Sequence, residues 1–532
     1  MPDPVLLEIL KNLLSAVAEE MGVTLGRTAY SPNIKERRDY SCAVFDACAD
    51  MVAQAAHIPV HLGAMPLSVQ ACLQRFGRLE EDDIAILNDP FSGGSHLPDI
   101  TLVSPVYWQG DLLGYVASRA HHADVGGIAP GSMPLARELF QEGLIIPPVK
   151  LQRAGVLNEA LLELITRNTR TPAERLGDLS AQIAAQHVGI RRLQALAERY
   201  QVGVLSEYML HLQNYAETMM RRLLAEIPAG RYTFRDVLDD DGFGHTDLPI
   251  CVTVIAHPQK SQETMLTIDF GGSAPQTEGG VNAVYAVTLS AVFYVLRCLL
   301  ADDSVPTNAG IFRPVQVIAP PGTLVNAQFP ASVAAGNVET SQRITDVLLG
   351  AFAQALPGRV PAASQGTMNN LTIGASSTAG EGQARFAYYE TIGGGMGASA
   401  TASGLSGAHV HMTNTLNTPC EALEYAYPLR VREYHLRRGS GGAGAQHGGD
   451  GLYREIELLA DATVTILSER RAHAPYGLFG GQDGAPGENS HFEGETRRIL
   501  PGKCSFQARR GDRIGIATPG GGGYGDLPQE TC

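Results

Sequence analysis

The sequence predicts an α+β fold: a large multi-layer body with an antiparallel β-hairpin in its N-terminal part, a helical segment and a glycine-rich β C-terminal part. Three observations lead to this prediction. Strand-like runs follow an amphipathic helix early in the chain, Gly and Pro almost vanish between Asn158 and Glu226, and glycines cluster after Pro361. The 532 residues suffice to bury a sizeable core. The expected regions are 1–157, 158–227, 228–360 and 361–532.

The first region combines one helix with several strands. Apolar residues recur every three or four positions from Val5 to Met21, with Asp3 placed to cap the helix and Pro4 in its first turn. Strand candidates follow at Tyr40–Phe45, Ile84–Leu87, Ile100–Trp108 and Leu112–Ala120. A turn at Gln109 and Gly110 would join the last two strands into an antiparallel hairpin.

The later regions are defined by similar patterns. Long amphipathic runs predict a helical hairpin or small bundle at Leu176–Tyr200 and Leu205–Leu224. Strands then alternate again at Arg231–Leu238, Ile250–Ala256 and Thr264–Phe270, before a helix at Ala286–Leu300. The last region places short strands, such as Thr463–Ser468, between glycine clusters at Gly393–Gly397, Gly439–Gly451 and Gly520–Gly525. We expect these glycines mainly to serve tight turns that need a positive φ.

Composition excludes several classes of protein. The chain carries 55 acidic and 40 basic side chains and no dominant Lys/Arg stripe, which argues against a nucleic-acid partner. Its longest apolar stretch, about Thr288 to Leu300, is interrupted by Arg297 and is too short to span a bilayer, so we expect no membrane partner. The N-terminus lacks the pattern of a secretory signal, and a cytoplasmic location is expected. The eight cysteines form no C-x-x-C and are expected to be reduced.

Standard nucleotide-binding and nucleophile motifs are also missing. The sequence contains neither G-x-x-x-x-G-K-[ST] nor G-x-S-x-G. A formal G-x-G-x-x-G at Gly520, Gly522 and Gly525 lies too close to the end of the chain for the helix that would bind a pyrophosphate. We therefore expect no nucleotide site of these types in this chain.

The most informative stretch surrounds the predicted hairpin. His96 and Asp99 precede its first strand, and His121, His122 and Asp124 follow its second strand. If Trp108 and Asp111 flank a two-residue turn, Asp99 lies opposite Ala120 and Pro98 opposite His121; a bulge would shift this register by one residue. Two imidazoles and a carboxylate would then converge, which suits Zn²⁺, Mn²⁺ or Fe²⁺. The alternative is a cluster of hydrogen-bonded loop histidines.

Two further groups lie nearby in the sequence. Asp39 begins a predicted strand, where a charged residue at a strand end is the simplest interpretation. His57 and His61 have the i, i+4 spacing of ligands on one helix face, but Pro59 between them weakens the helix prediction. We expect His57 and His61 to be structural or to support ligands rather than to bind an ion.

Ten sequence blocks are spread along the whole chain. They are E-R-R-D-Y-S (36–41), H-I-P-V-H-L-G (57–63), N-D-P-F-S-G-G-S-H-L-P-D (88–99), H-H-A-D-V-G-G (121–127), P-G-S-M-P (130–134), Q-E-G-L-I-I-P-P-V-K (141–150), G-N-V-E-T-S-Q-R (336–343), Y-Y-E-T-I-G-G-G (388–395), N-T-P-C-E-A-L-E (417–424) and L-S-E-R-R (467–471). In this joint order the blocks resemble the B subunit of the hydantoinase and 5-oxoprolinase family, which includes a subunit of ketone carboxylases.

The resemblance implies a metal site and a partner. The family pattern of an Asp, then H-x-x-D, then a His maps onto four residues, which are Asp39, His96, Asp99 and His121. It also implies a hydantoinase A-type subunit that binds ATP and Mg²⁺ and phosphorylates the carbonyl oxygen of a small cyclic amide. By analogy the expected assembly is a heterotetramer. The divalent ion would lower the pKa of its water and supply the hydroxide that attacks the activated ring.

The same resemblance suggests supporting residues and leaves alternatives open. His122 and Asp124 are predicted as catalytic residues that orient the ligands or move protons, and Glu339 and Glu390 as further acid/base or interface residues. The expected enzyme is an ATP-dependent hydrolase of a hydantoin, 5-oxoproline or another lactam. The alternatives are a subunit of an ATP-dependent ketone carboxylase and a non-catalytic scaffold. The sequence does not select one substrate.

Overall fold

A computed structural model describes residues 2–55, 58–257, 263–375 and 385–527, and it confirms the α+β class. The α-helices of these residues are α1 (Pro4–Thr28), α2 (Pro32–Lys35), α3 (Ala64–Phe76), α4 (Glu159–Arg167), α5 (Pro172–Tyr200), α6 (Val202–Leu224), α7 (Tyr285–Leu300), α8 (Ser341–Ala355) and α9 (Cys420–Ala426). Short 3₁₀-helices lie at Pro59–His61, Pro90–Ser92, Leu139–Gln141 and Ala309–Phe312, and a π-helix at Gly336–Thr340. None of the helices in the described residues combines the length and apolarity needed to cross a bilayer.

The strands form four sheets. The seven strands of the first sheet are β1 (Tyr40–Asp46), β2 (Met51–Gln54), β3 (Ile84–Leu87), β4 (Asp99–Trp108), β5 (Asp111–His121), β6 (Val149–Arg153) and β7 (Val156–Leu157). The second comprises β8 (Gly230–Asp240), β9 (Thr246–Ala256), β10 (Leu266–Asp269) and β11 (Val315–Ile318). The other two comprise β12 (Asn370–Ala375), β13 (Phe386–Glu390), β16 (Ala462–Leu467) and β19 (Lys503–Ala508), and β14 (Leu429–Arg437), β15 (Gly451–Leu458), β17 (Glu488–Glu493), β18 (Thr496–Leu500) and β20 (Arg513–Ala517).

The first sheet is antiparallel, with strand order β2-β1-β5-β4-β3-β6-β7, and is covered on both faces. Alternate residues of a strand point to opposite faces. Val44 and Val116 pack with α1, α5 and α6, whereas Phe45 and Ala117 pack with α3. The long helices predicted at the N-terminus and after residue 158 therefore cover one face of this sheet.

The hairpin β4–β5 is centred on the predicted turn but differs from the simple register. Gln109 and Gly110 have φ values of 52° and 89°, as a tight hairpin turn requires. A bulge between Val106 and Tyr107 then shifts the pairing, so that Asp99 lies opposite His121 and not opposite Ala120. The unshifted register was therefore wrong by one residue.

Gly114 explains where this bulge lies. A Cβ at Gly114 would come within 2.1 Å of the carbonyl oxygen of Phe45 on the neighbouring strand, so only glycine fits. An isolated Gly inside a strand pattern is a typical signal of a bulge. The correct register was thus indicated in the sequence, although the two-residue turn alone predicted another.

The C-terminal glycines serve mainly close backbone packing, and the expectation that they serve positive-φ turns was wrong for most of them. Of the three clusters, only Gly439 and Gly525 have positive φ. Within the clusters, a Cβ at Gly395 would lie 2.1 Å from the carbonyl oxygen of Gly449, and one at Gly521 would lie 2.1 Å from that of Met396. The loops stack backbone against backbone, which no residue with a side chain permits.

A buried ionic network joins α8 to β8 and to the loop after β16. The Arg470 guanidinium lies 2.6 Å from a carboxylate oxygen of Asp346 and 2.7 Å from one of Asp236. Arg343 reaches both Asp236 and Glu469, at 3.3 and 3.2 Å. Lys503 lies 2.6 Å from Glu469. The side chains of Arg343 and Arg470 are almost fully buried, so each charge depends on its partners.

Candidate metal centre

The strand pairing of the first sheet gathers the candidate ligands at one point. Asp99 begins β4 opposite His121, the last residue of β5. Asp39 directly precedes β1, and its carbonyl oxygen accepts a hydrogen bond from the His121 backbone at 3.0 Å. His96 lies one turn before Asp99, whose backbone N–H donates to the His96 carbonyl at 3.1 Å. The four residues predicted as metal ligands therefore lie together.

Asp99 is the centre of the arrangement. Its Oδ1 lies 3.1 Å from His96 Nε2 and 3.1 Å from His121 Nδ1. Its Oδ2 accepts a hydrogen bond from Ser95 Oγ at 2.5 Å. One ligand-type atom from each of His96, Asp99 and His121 lies within 4.8 Å of the others, and all three side chains are buried. Asp39 is not part of this tightest group, but its side chain lines the same cavity.

His61 is a further contact of the Asp99 carboxylate. Its Nε2 lies 3.3 Å from Asp99 Oδ2, and its Nδ1 lies 2.8 Å from Ser41 Oγ. The 3₁₀-helix Pro59–His61 places this ring in the site, so His61 supports a predicted ligand directly. His57 lies outside the described residues, and the prediction for it stays open.

Burial and charge act in opposite directions on the groups of the site. Burial alone would raise the pKa of Asp99, but the neighbouring His96 and His61 rings and the hydrogen bond from His121 hold it well below its usual range. Burial raises the pKa of Asp39, although His121 and Arg37 oppose this. Burial lowers the pKa of His121 and His61, which favours neutral rings, whereas for His96 the Asp99 carboxylate outweighs burial and raises the pKa. Neutral imidazoles and an ionised carboxylate are the forms that bind divalent ions.

A small cavity separates these side chains. It has a volume of about 20 Å³, and Asp39, His61, Asp99 and His121 all line it. Among the described residues, His121 Nε2 and Asn337 Oδ1 are buried without a hydrogen-bond partner. A buried polar atom without a partner is costly, which calls for a ligand at this point. The donor set and the space fit a single divalent ion.

Tyr389 and Asn337 contact the site but were not predicted. In their two sequence blocks, only the acidic residues Glu390 and Glu339 were selected as candidates. The Tyr389 ring stacks on His121 with centroids 4.6 Å apart, and the amide of Asn337 lies 3.1 Å from His96 Nε2. Glu390 follows Tyr389 in β13 and points to the opposite face, where it pairs with Arg454 at 3.2 Å. Because neighbouring residues of a strand point to opposite faces, the Tyr-Tyr-Glu sequence could have indicated that Tyr389 and Glu390 do not both face the centre.

Glu339 is buried near the site but faces another set of groups. Its Oε1 accepts hydrogen bonds from the Met368 backbone at 3.0 Å and from Asn370 at 2.6 Å. Burial raises the pKa of Glu339 to about 8, so it is mainly protonated at neutral pH. An acid/base role for Glu339 and Glu390 stays a prediction.

His122 and Asp124 lie just after β5, and their side chains contact α5 and the loop before it, outside the cavity. His122 Nε2 lies 2.9 Å from Gln182 Oε1 on α5. Asp124 pairs with Arg170 at 2.9 Å and accepts a hydrogen bond from the Arg170 backbone at 2.5 Å. Their catalytic role, to orient the ligands or to move protons, stays a prediction.

A mainly antiparallel α+β body that carries a buried imidazole and carboxylate cluster at the open end of the β4–β5 hairpin defines the structural class of this protein. The family model described as hydantoinase B/oxoprolinase matches residues 3–527. The chain belongs to this family, and the resemblance seen in the sequence blocks is confirmed.

Three relatives show how far the similarity extends. The chain is 42% identical over 528 residues to an uncharacterized protein of Methanocaldococcus jannaschii, covering 98% of this chain and 91% of that protein. It is 42% identical over 552 residues to 5-oxoprolinase 1 of Arabidopsis thaliana, with 98% of this chain but only 42% of the plant protein covered. The crystal structure of ATP-dependent caprolactamase from Pseudomonas jessenii superposes with a TM-score of 0.91 at 30% identity, over 100% of this chain and 93% of that chain.

Proposed function

We propose that this chain is the metal-dependent component of an ATP-dependent enzyme that hydrolyses a cyclic amide. The observation that carries the proposal is the buried group of His96, Asp99 and His121 beside a cavity of ionic size that Asp99 and His121 line, together with a His121 nitrogen that has no hydrogen-bond partner among the described residues. Support comes from two relatives named as a 5-oxoprolinase and a caprolactamase, since 5-oxoproline and caprolactam are both cyclic amides.

Four side chains would hold the ion, namely Asp39, His96, Asp99 and His121. When bound, Zn²⁺, Mn²⁺ or Fe²⁺ would supply a Lewis acid for water activation and for oxyanion charge. Ser95 and His61 fix the Asp99 carboxylate by contacting its Oδ2. Tyr389 stacks on His121, and the Arg37 guanidinium lies 4.9 Å from the centre of the Tyr389 ring. The chain thus holds the ligands in place before substrate arrives.

ATP chemistry is assigned to a hydantoinase A-type partner. An unstrained cyclic amide is a poor electrophile, and phosphorylation of its carbonyl oxygen makes the ring carbon a better one. Once water has added and the ring C–N bond has broken, phosphate leaves from the resulting acyl phosphate. This sequence contains no Walker A motif, and the related caprolactamase is ATP-dependent. The plant 5-oxoprolinase has more than half its length outside the match, which leaves room for such an activity within one polypeptide. We propose a heterotetramer of the two chains.

Reconstitution tests this function. The full chain is combined with a hydantoinase A-type chain, ATP and Mg²⁺, and 5-oxoproline, hydantoin and caprolactam are offered separately. We expect ring opening of at least one compound, followed by mass spectrometry, together with phosphate release that requires both chains. A complex that opens none of these rings and releases no phosphate contradicts the proposal. Bicarbonate-dependent consumption of a ketone, without ring opening, would instead indicate a carboxylase.

His61 provides a second prediction. We expect His61→Ala to weaken metal binding by about 10- to 100-fold, because partners that orient metal ligands typically contribute that much. Competition with a chelator of known affinity measures the change.

The matched control for His61 is His491→Ala. His491 is also buried and lies 3.0 Å from an aspartate, Asp512, but it belongs to the C-terminal sheet. The His491→Ala variant should bind metal with the same affinity as the unmodified chain. Equal affinities for the two variants would show that His61 does not support the centre.

A further inference from the structure

The cavity at the metal centre is too small for the proposed substrate. Its volume of about 20 Å³ suits an ion or one water molecule, not a ring of five to seven atoms. The ring must therefore occupy space beside the centre. Small-molecule sites usually occupy about 300 to 1,000 Å³ and combine an apolar lining with a few polar groups.

A second cavity, called here the outer cavity, meets this description. Its volume is about 480 Å³, and its lining includes Leu299, Leu349 and Val360 together with Tyr294, Arg359 and His411. A larger groove of about 930 Å³ exists between α3 and α7, but none of its lining residues lines the metal cavity. The outer cavity shares Thr413 with the metal cavity.

Two segments of the chain line both cavities. In the first, Pro59 lines the outer cavity, and the next residue, Val60, lines the metal cavity. In the second, His411 lines the outer cavity and Met412 the metal cavity. The Val60 backbone N–H donates to the Met412 carbonyl at 3.3 Å and joins the segments. The two cavities are therefore neighbours, and Met412, which has a flexible side chain, lies where they meet.

His411 is arranged like a residue of a binding site. It has a φ of 56°, a conformation that a side chain disfavours and that functional positions often retain. Its Nδ1 lies 3.3 Å from the Tyr294 hydroxyl. Its Nε2 is buried and lies 3.7 Å from Asp346 Oδ1, and neither atom has a hydrogen-bond partner among the described residues. The His411 ring is therefore held between Asp346 and Tyr294, and the Tyr294 hydroxyl is the polar group beside the apolar lining.

A cationic group lies at the edge of the outer cavity. Arg359 lines the cavity, and its guanidinium lies 2.6 Å from Glu226, with side-chain exposures of 39% and 59%. An exposed pair of this kind is weak, so Arg359 can exchange Glu226 for another anion at little cost. A phosphorylated substrate carries such an anion, and arginine binds phosphate well.

We infer that the outer cavity binds the ring of the activated cyclic amide next to the metal centre. The Tyr294 hydroxyl, oriented by His411, hydrogen-bonds the polar edge of the ring, Leu299, Leu349 and Val360 contact its methylene groups, and Arg359 meets the phosphoryl group. Attack on the reacting carbon by water activated at the centre then requires the flexible Met412 side chain to move out of the space between the two cavities. This inference rests on the proposed function and specifies where its substrate lies.

Cys298 allows a direct test, because it lies on α7, lines the outer cavity and is exposed. In the complex with the A-type partner, Cys298→Trp fills the cavity and should reduce ring opening by about 10²-fold with unchanged metal content, as expected when a substrate is displaced. Cys48→Trp is the matched control, since Cys48 is also exposed but lies in the turn between β1 and β2. It should retain full activity.

Alkylation of the unmodified chain provides the second measurement. Millimolar caprolactam, 5-oxoproline or hydantoin should slow iodoacetamide modification of Cys298 but not of Cys48, as followed by peptide mass spectrometry. A fully active Cys298→Trp complex overturns the inference and leaves the proposed function intact. If the Cys298→Trp variant has lost its metal, or the complex is inactive, the alkylation result decides. Slower modification of Cys298 alone supports the inference. Rates that none of the three compounds changes overturn it. Failure of the unmodified complex on all three rings contradicts the proposed function itself.

Discussion

Replacement of Asp99 by Ala is expected to abolish metal binding and ring opening together. Asp99 contacts His61, His96 and His121 within 3.3 Å, so its loss removes one ligand and the group that fixes the others. We expect the metal affinity to fall by more than about 10²-fold, since even the outer partners of metal ligands contribute 10- to 100-fold. Elemental analysis of the purified variant and chelator competition measure the change.

Asp124→Asn is the control for this variant. Asp124 is also a buried carboxylate close to the end of β5, but it pairs with Arg170 outside the cavity. The Asp124→Asn variant should retain its metal. A loss of turnover in this variant would then support the predicted catalytic role of Asp124. An Asp99→Ala protein with a full complement of metal would contradict the assignment of the centre.

Replacement of Arg470 by Ala should cause the largest loss of stability. The variant leaves the buried Asp346 carboxylate without its nearest cation, whereas Asp236 keeps Arg343 at 3.3 Å. Removing one partner of a buried ion pair typically costs about 3 to 5 kcal/mol, because the remaining charge is neither solvated nor paired. Urea denaturation followed by circular dichroism measures the free energy of unfolding.

Arg192→Ala provides the comparison. Arg192 pairs with Glu20 between α5 and α1, with side-chain exposures of 55% and 42%. Such an exposed pair contributes about 0 to 1 kcal/mol, so its loss should barely change the free energy of unfolding. Similar effects for Arg470→Ala and Arg192→Ala would show that the buried network does not tie α8 to β8.

Sequence periodicity predicted the elements that carry the site because local patterns determine them. The strand Ile84–Leu87 has the predicted bounds. β4 begins one residue earlier than predicted, and β5 extends one residue further at each end. The convergence of His96, Asp99 and His121 followed from one hairpin, whose partners are close in the sequence. The register was off by one residue because the two-residue turn alone does not show the bulge between Val106 and Tyr107.

Contacts between distant segments were harder to predict. His61, Asn337 and Tyr389 reach the centre from separate parts of the chain, and no local pattern shows that they meet. The glycine clusters were misjudged for the same reason, since close backbone packing such as that of Gly395 on Gly449 involves residues far apart in the sequence. Residue type suggested chemistry, but tertiary packing selected which residues take part.

Anomalous X-ray diffraction from crystals of the purified full chain tests the central claim most directly. Data collected on either side of the absorption edges of Zn, Mn and Fe identify the ion and its position. We expect one strong peak among the side chains of Asp39, His96, Asp99 and His121, at about 2.0 to 2.2 Å from their nitrogen and oxygen atoms if the ion is zinc. A peak elsewhere, or none after reconstitution with each of the three metals, would contradict the metal centre and with it the proposed mechanism.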